Sequence, residues 1–174
     1  MPNAADPYNP LIVCLKGLTM REARLNQVES WIIKMLQQVP DALLDNIIIF
    51  GSAAIALNGY YLQEPPKDLD LFVSPEVFAA LQTLGFATFA KSDIVGMTLV
   101  KDEVEAFTDF NGIAYQQVKA NSHILRQPKP VRYADIADIK AWKQIRNQPK
   151  DRLHLQEIEA LANQSVKASS LISS

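Results

Sequence analysis

The chain has 174 residues, of which 48% are hydrophobic and 21% charged, with a formal net charge of −2. That is enough for one domain with a real core and ordinary for a globular protein. One cysteine, Cys14, excludes an internal disulfide framework, two histidines argue against a Cys/His zinc site, and no segment approaches the roughly 20 apolar residues that cross a membrane. The early apolar run 11–15 lacks the basic flank of a signal peptide. The expectation is a cytoplasmic protein with no membrane partner.

In chain order, residues 1–18 carry three prolines and no clear period, and read as an extended arm. From Thr19 to Gln38, Leu25, Val28, Ile32, Met35 and Leu36 recur at helical spacing, and Pro40 ends the helix. The β-branched run 46–50 (N-I-I-I-F) predicts a buried strand. Gly51-Ser52 and a short helix over 53–57 follow, with Asn58-Gly59 as its stop. Loop residues 63–67 lead to a second strand at 68–73, and Ser74-Pro75-Glu76 opens a helix closed by Gly85. Residues 86–90, 94–100 and 103–109 read as strands in a meander, and 113–118 as another. Two helices are predicted at 135–146 and 150–163, divided by Asn147-Gln148-Pro149. The predicted fold class is α/β (α+β), a mixed sheet flanked by helices with C-terminal helices. One domain spans 19–164, its core about 46–118 and its closing helices about 134–163, before a flexible serine-rich tail at 165–174.

The chemistry concentrates in residues 47–73. Gly51 lets backbone and a phosphate approach closely, and Ser52 opens a helix whose free N–H groups and hydroxyl suit an anion. Asp68 and Asp70 flank Leu69 on a strand, so alternation puts both carboxylates on one face and Leu69 in the core. Two adjacent carboxylates suit Mg²⁺ (or Mn²⁺) carrying a triphosphate. Charge is also divided along the chain. Residues 1–110 hold seven Lys/Arg and fourteen Asp/Glu, whereas 119–152 hold nine basic and three acidic residues. Such a split fits one surface gathering metal ions and another gathering phosphates, or simply a solvated helical face. Lys140, Lys143 and Arg146 fall within about a third of a helix circumference and can form one basic strip.

The order strand, Gly51-Ser52, helix, Asp68-Leu69-Asp70 resembles the signature of the nucleotidyltransferase superfamily, the DNA polymerase β-like minimal fold. The segments 136–146, 149–151 and 158–161 look like the closing helices of its small bacterial branch, which includes toxin halves of abortive-infection toxin–antitoxin systems. The resemblance covers about residues 46–162. It implies transfer of a nucleoside monophosphate from an NTP to an acceptor hydroxyl on RNA, protein or a small molecule such as a drug, and a partner antitoxin protein. It also implies a third carboxylate on a later strand. Glu105 fits best, as a further metal ligand or a base, and Asp109 is the fallback. A lysine and an Arg-x-x-Lys-Asp-like turn lie near the nucleotide in that branch, which makes Lys140, Arg146, Lys150 and Asp151 candidates for that role. The branch often has an arginine just before Asp-x-Asp, whereas here Lys67 stands as a point charge without a bidentate fork. Each feature has a plainer alternative: solvated acids on a strand edge for Asp-x-Asp, a tight turn for Gly-Ser, an exposed strand residue for Glu105. His123, His154, Trp31 and Trp142 are assigned structural or packing roles, and Cys14 an inert one. A catalytically silent binding module acting through a protein or RNA partner is the competing function.

Overall fold

Thr19 opens the first helix, α1 (Met20–Leu36), with a reciprocal cap. Its hydroxyl accepts from the Glu22 N–H at 3.2 Å, while its own N–H donates to the Glu22 carboxylate at 2.7 Å. The helical apolar spacing turns Ile32 and Met35 inward. A computed structural model describes residues 19–90, 97–108, 111–126 and 129–172, with 165–172 as backbone only.

Beyond α1 a turn of 3₁₀ helix, Asp41–Asn46, feeds β1 (Ile47–Ile49), whose three isoleucines are fully buried. The elements after it are α2 (Gly51–Leu57), β2 (Leu69–Val73), α3 (Pro75–Thr83), β3 (Ala87–Phe89), β4 (Thr98–Lys101) and β5 (Val104–Phe107). The chain continues with α4 (Tyr115–Asn121), β6 (His123–Leu125), β7 (Val131–Tyr133), α5 (Ile136–Arg146) and α6 (Pro149–Ile172). Among the described residues the strands form one mixed sheet in the order β3-β4-β5-β2-β1-β7-β6. β1 runs antiparallel to β2 and parallel to β7, and β2 runs parallel to β5. The fold is of the expected α+β class, a mixed sheet flanked by helices.

Edge-to-face aromatic contacts lock the helices to the sheet. Phe50, just after β1, lies 6.0 Å from Phe72 of β2 and 5.3 Å from Trp142 of α5, and Phe72 lies 5.5 Å from Tyr115 of α4. Such pairs add about 0.5–1.5 kcal/mol each beyond their area burial. They also fix α5 over the face of the sheet that carries Phe72 and, two residues earlier, Asp70. Asn58 ties the end of α2 to the lead-in of α5 by donating to Ala54 O at 2.7 Å and Ala134 O at 2.9 Å.

The structure differs from the predicted elements in three places. In place of the strand expected at 113–118, a helix runs over Tyr115–Asn121, because Tyr115 and Val118, three apart, turn to one buried face. β6 and β7 were not foreseen. The last helix runs through the expected tail as far as Ile172, since no Gly or Pro follows Pro149 to stop it. The arm at 1–18 and the fallback carboxylate Asp109 lie outside the described residues.

Candidate functional site

The end of β1 and the start of β2 are pinned together, the Phe50 N–H donating to Asp70 O at 2.8 Å. The chain must turn sharply from there into α2, and Gly51 does so at φ +60, in the left-handed region. The Asp70 carboxylate packs over Gly51, in the space that any Cβ at that position would take. The Gly-Ser step is therefore shaped around the second acid of Asp-x-Asp.

Asp68 and Asp70 are both half-buried. On the neighbouring strand, Glu105 is in register with Asp70, and Phe107 with Phe72, so Glu105 stands beside Asp70 on the same face. Across from the acids, the turn between α5 and α6 supplies a cationic wall. Asp135 caps the start of α5, accepting from the Ala137 N–H at 2.8 Å, and Asn147 ends it in the left-handed conformation.

A fully buried carboxylate, Asp151, organises that wall. It accepts from Lys143 Nζ at 3.0 Å, from Arg146 Nε at 2.7 Å and Nη2 at 2.6 Å, and from the Gln148 N–H at 3.2 Å. Burial alone pushes the Asp151 carboxyl up, but the hydrogen bonds and charges of Arg146 and Lys143 outweigh it and hold it at about 2. Burial lowers the Lys143 ammonium, with Asp151 opposing that shift. Arg146 also lies over the Trp142 ring, 4.0 Å from its centre. His154, one helical turn beyond Asp151 on α6, is buried, and burial followed by the charges of Lys143 and Lys150 depresses its imidazole to about 4.

These two walls enclose a cavity of about 450 Å³. Gly51, Ser52, Asp68, Asp70, Arg146 and Lys150, all singled out in the sequence, line it. Four others do not, one being Asp151, which anchors the cationic wall from behind it. Lys140 lies outside the lining, and Lys143, one turn further along the same basic strip, takes its place. Lys67 is exposed and engages Glu64 at 2.9 Å, and Glu105, beside Asp70 on the neighbouring strand, is not part of the lining. Sequence reasoning missed Phe107, Trp142, Gln148, Pro149 and His154 as lining residues. The signals were present for Phe107, which follows Glu105 by one strand repeat, and for His154, which follows Asp151 by one helical turn.

Among the described residues no three His, Cys, Asp or Glu side chains stand close enough together to hold a metal ion. The pair Asp68 and Asp70 nonetheless has the donor chemistry for Mg²⁺, which is commonly held by one or two carboxylates with substrate phosphates and water completing its shell. The chain matches no known protein-family model and no curated protein.

Proposed function

We propose that the protein is a nucleotidyltransferase that moves a nucleoside monophosphate from an NTP to an acceptor hydroxyl. The supporting observation is the cavity that sets Asp68 and Asp70 opposite Lys143, Arg146 and Lys150, with Gly51 and Ser52 at its edge. A triphosphate carries several negative charges and a divalent cation, and this cavity offers a partner for each. Lys143 and Arg146, held in place by Asp151, bind phosphate oxygens, and Lys150 adds a flexible charge at the rim. Asp68 and Asp70 hold Mg²⁺ or Mn²⁺, which when bound neutralises the charge that develops on the phosphate oxygens. Gly51 keeps Asp70 in position. Glu105, in register with Asp70 on β5, adds negative charge beside the pair and so strengthens the attraction of the site for a divalent cation. In-line attack by the acceptor oxygen then releases pyrophosphate. Incubation with each α-labelled NTP and Mg²⁺ in a whole-cell extract tests the proposal. Label should pass to an acceptor with the wild type and not with Asp70→Ala.

One observation favours a second function, a catalytically silent module that acts through a protein or RNA partner in the manner of toxin–antitoxin proteins: Lys67, which stands where the resembled branch often carries an arginine, is exposed and engages Glu64 instead of lining the cavity. Thermal shift with each Mg²⁺–NTP separates the two. A ligand at 100 times its Kd adds about 2.7 kcal/mol of stability, and a silent module gains nothing.

A further inference from the structure

A second cavity, of about 610 Å³, adjoins the first, and Ser52 lines both. Its character is different. Trp31 of α1, Ala56 of α2, and Tyr60, Tyr61 and Pro66 of the segment leading to β2 form its walls. Among the described residues its charged lining consists of Arg24, whose guanidinium carbon lies 6.0 Å from the centre of the Tyr61 ring, and Glu64, which Lys67 engages at 2.9 Å.

We propose that this cavity is the acceptor subsite and that the acceptor is a small, ring-bearing, largely apolar hydroxyl compound. The inference rests on the nucleotidyltransferase function proposed above and names its second substrate. Three observations carry it. Each cavity by itself falls in the size range of a small-ligand pocket, about 300–1,000 Å³, so the pair matches a two-substrate reaction. The charges of the first cavity suit the donor's phosphates, which leaves the aromatic one for the other substrate. The two meet at Ser52, so a hydroxyl on the edge of a ring seated between Trp31 and Tyr60 reaches the place where phosphates bind. A polynucleotide acceptor is disfavoured because its backbone calls for a row of cations, whereas among the described residues Arg24 is the one cationic side chain in this lining. In the transfer, the acceptor oxygen forms a bond to the α-phosphorus and the bond from that phosphorus to the bridging oxygen breaks. Pyrophosphate leaves with the electron pair, and the hydroxyl proton passes to solvent.

Gln27 is exposed on α1 and lines this cavity, so Gln27→Trp places a large ring in it without removing a buried side chain. Two readouts test the proposal: binding of the aromatic probe 8-anilinonaphthalene-1-sulfonate, and passage of label from α-labelled NTP into the small-molecule, RNA and protein fractions of an extract. Wild type should bind the probe and label the small-molecule fraction. Gln27→Trp should lose at least tenfold in both while its melting temperature and its thermal shift with Mg²⁺–NTP stay at wild-type values. Label in RNA or protein, or unchanged probe binding in Gln27→Trp, overturns the assignment. Loss of the NTP-induced shift in Gln27→Trp also overturns it, since the cavity then holds the donor's base. If wild type neither binds NTP nor transfers label, the nucleotidyltransferase function falls and the acceptor assignment with it. Probe binding that Gln27→Trp abolishes then still marks a ring-binding cavity, which keeps the two failures distinct.

Discussion

Asp151 is the residue on which the cationic wall depends. Its fully buried carboxylate pairs with Lys143, which is 2% exposed, and with the partly buried Arg146. Removing one member of a buried charge cluster leaves the others uncompensated, at about 3–5 kcal/mol. Asp151→Ala is expected to lose stability of that order, read as a lower urea midpoint, and to weaken NTP binding even though Asp151 touches no phosphate. His154 gives the site a pH signature. Its imidazole is held at about 4 against an ordinary 6.5, so between those values the unfolded chain takes up a proton that the folded chain refuses. Stability therefore falls as pH drops from 6.5 toward 4, by up to about 3 kcal/mol, and this contribution changes no further below. Asp151 adds a separate loss between pH 3.8 and 2, because its carboxyl is held lower in the folded state. Melting temperature measured against pH should show the first step in wild type and not in His154→Leu. Gly51 is the third residue to test. Any side chain there meets both the left-handed φ and the Asp70 carboxylate, so Gly51→Ala should cost about 1–3 kcal/mol and displace Asp70. The check is an urea midpoint alongside the NTP-induced shift in melting temperature, both of which should fall.

At the scale of elements, the strength of each sequence signal explains what was legible. Helix α1 carries its own start signal in Thr19 and Glu22, and Thr19→Ala should cost about 1 kcal/mol, measured by denaturant unfolding. β1, β2 and α3 announced themselves in the same way, through a run of isoleucines, an alternation around Leu69, and Ser74-Pro75. β6 and β7 did not. Each is three residues long, and β7 exists because it pairs with β1, more than eighty residues earlier in the chain, a partnership that no local pattern encodes. Residues 113–118 were misread because Ile113 and Tyr115 alternate with smaller residues, while the inward pair that matters, Tyr115 and Val118, has helical spacing. The site followed the same rule. Gly51, Ser52, Asp68 and Asp70 are close in sequence and could be read together. The choice of Lys143 over Lys140 depends on how α5 rotates against Phe50, which the Phe50–Trp142 contact decides. Phe50→Ala should lose about 3–5 kcal/mol in denaturant unfolding through the cavity it leaves.

For the whole molecule, the division of charge along the sequence becomes a division across one cavity. The sheet, from the acidic first part of the chain, presents Asp68 and Asp70, and the α5–α6 hairpin, from the basic part, presents Lys143, Arg146 and Lys150. The small net charge of −2 conceals this arrangement. The aromatic cavity lies on the α1 side of Ser52, so a two-substrate enzyme would bring donor and acceptor in from different sides of the same short helix. The most direct test of this account is transfer of label from α-labelled NTP in the presence of Mg²⁺, wild type against Asp70→Ala. The account predicts label on an acceptor with the wild type, none with Asp70→Ala, and closely similar melting temperatures for the two proteins. Undiminished transfer by Asp70→Ala, or no transfer by the wild type with any NTP, would contradict it.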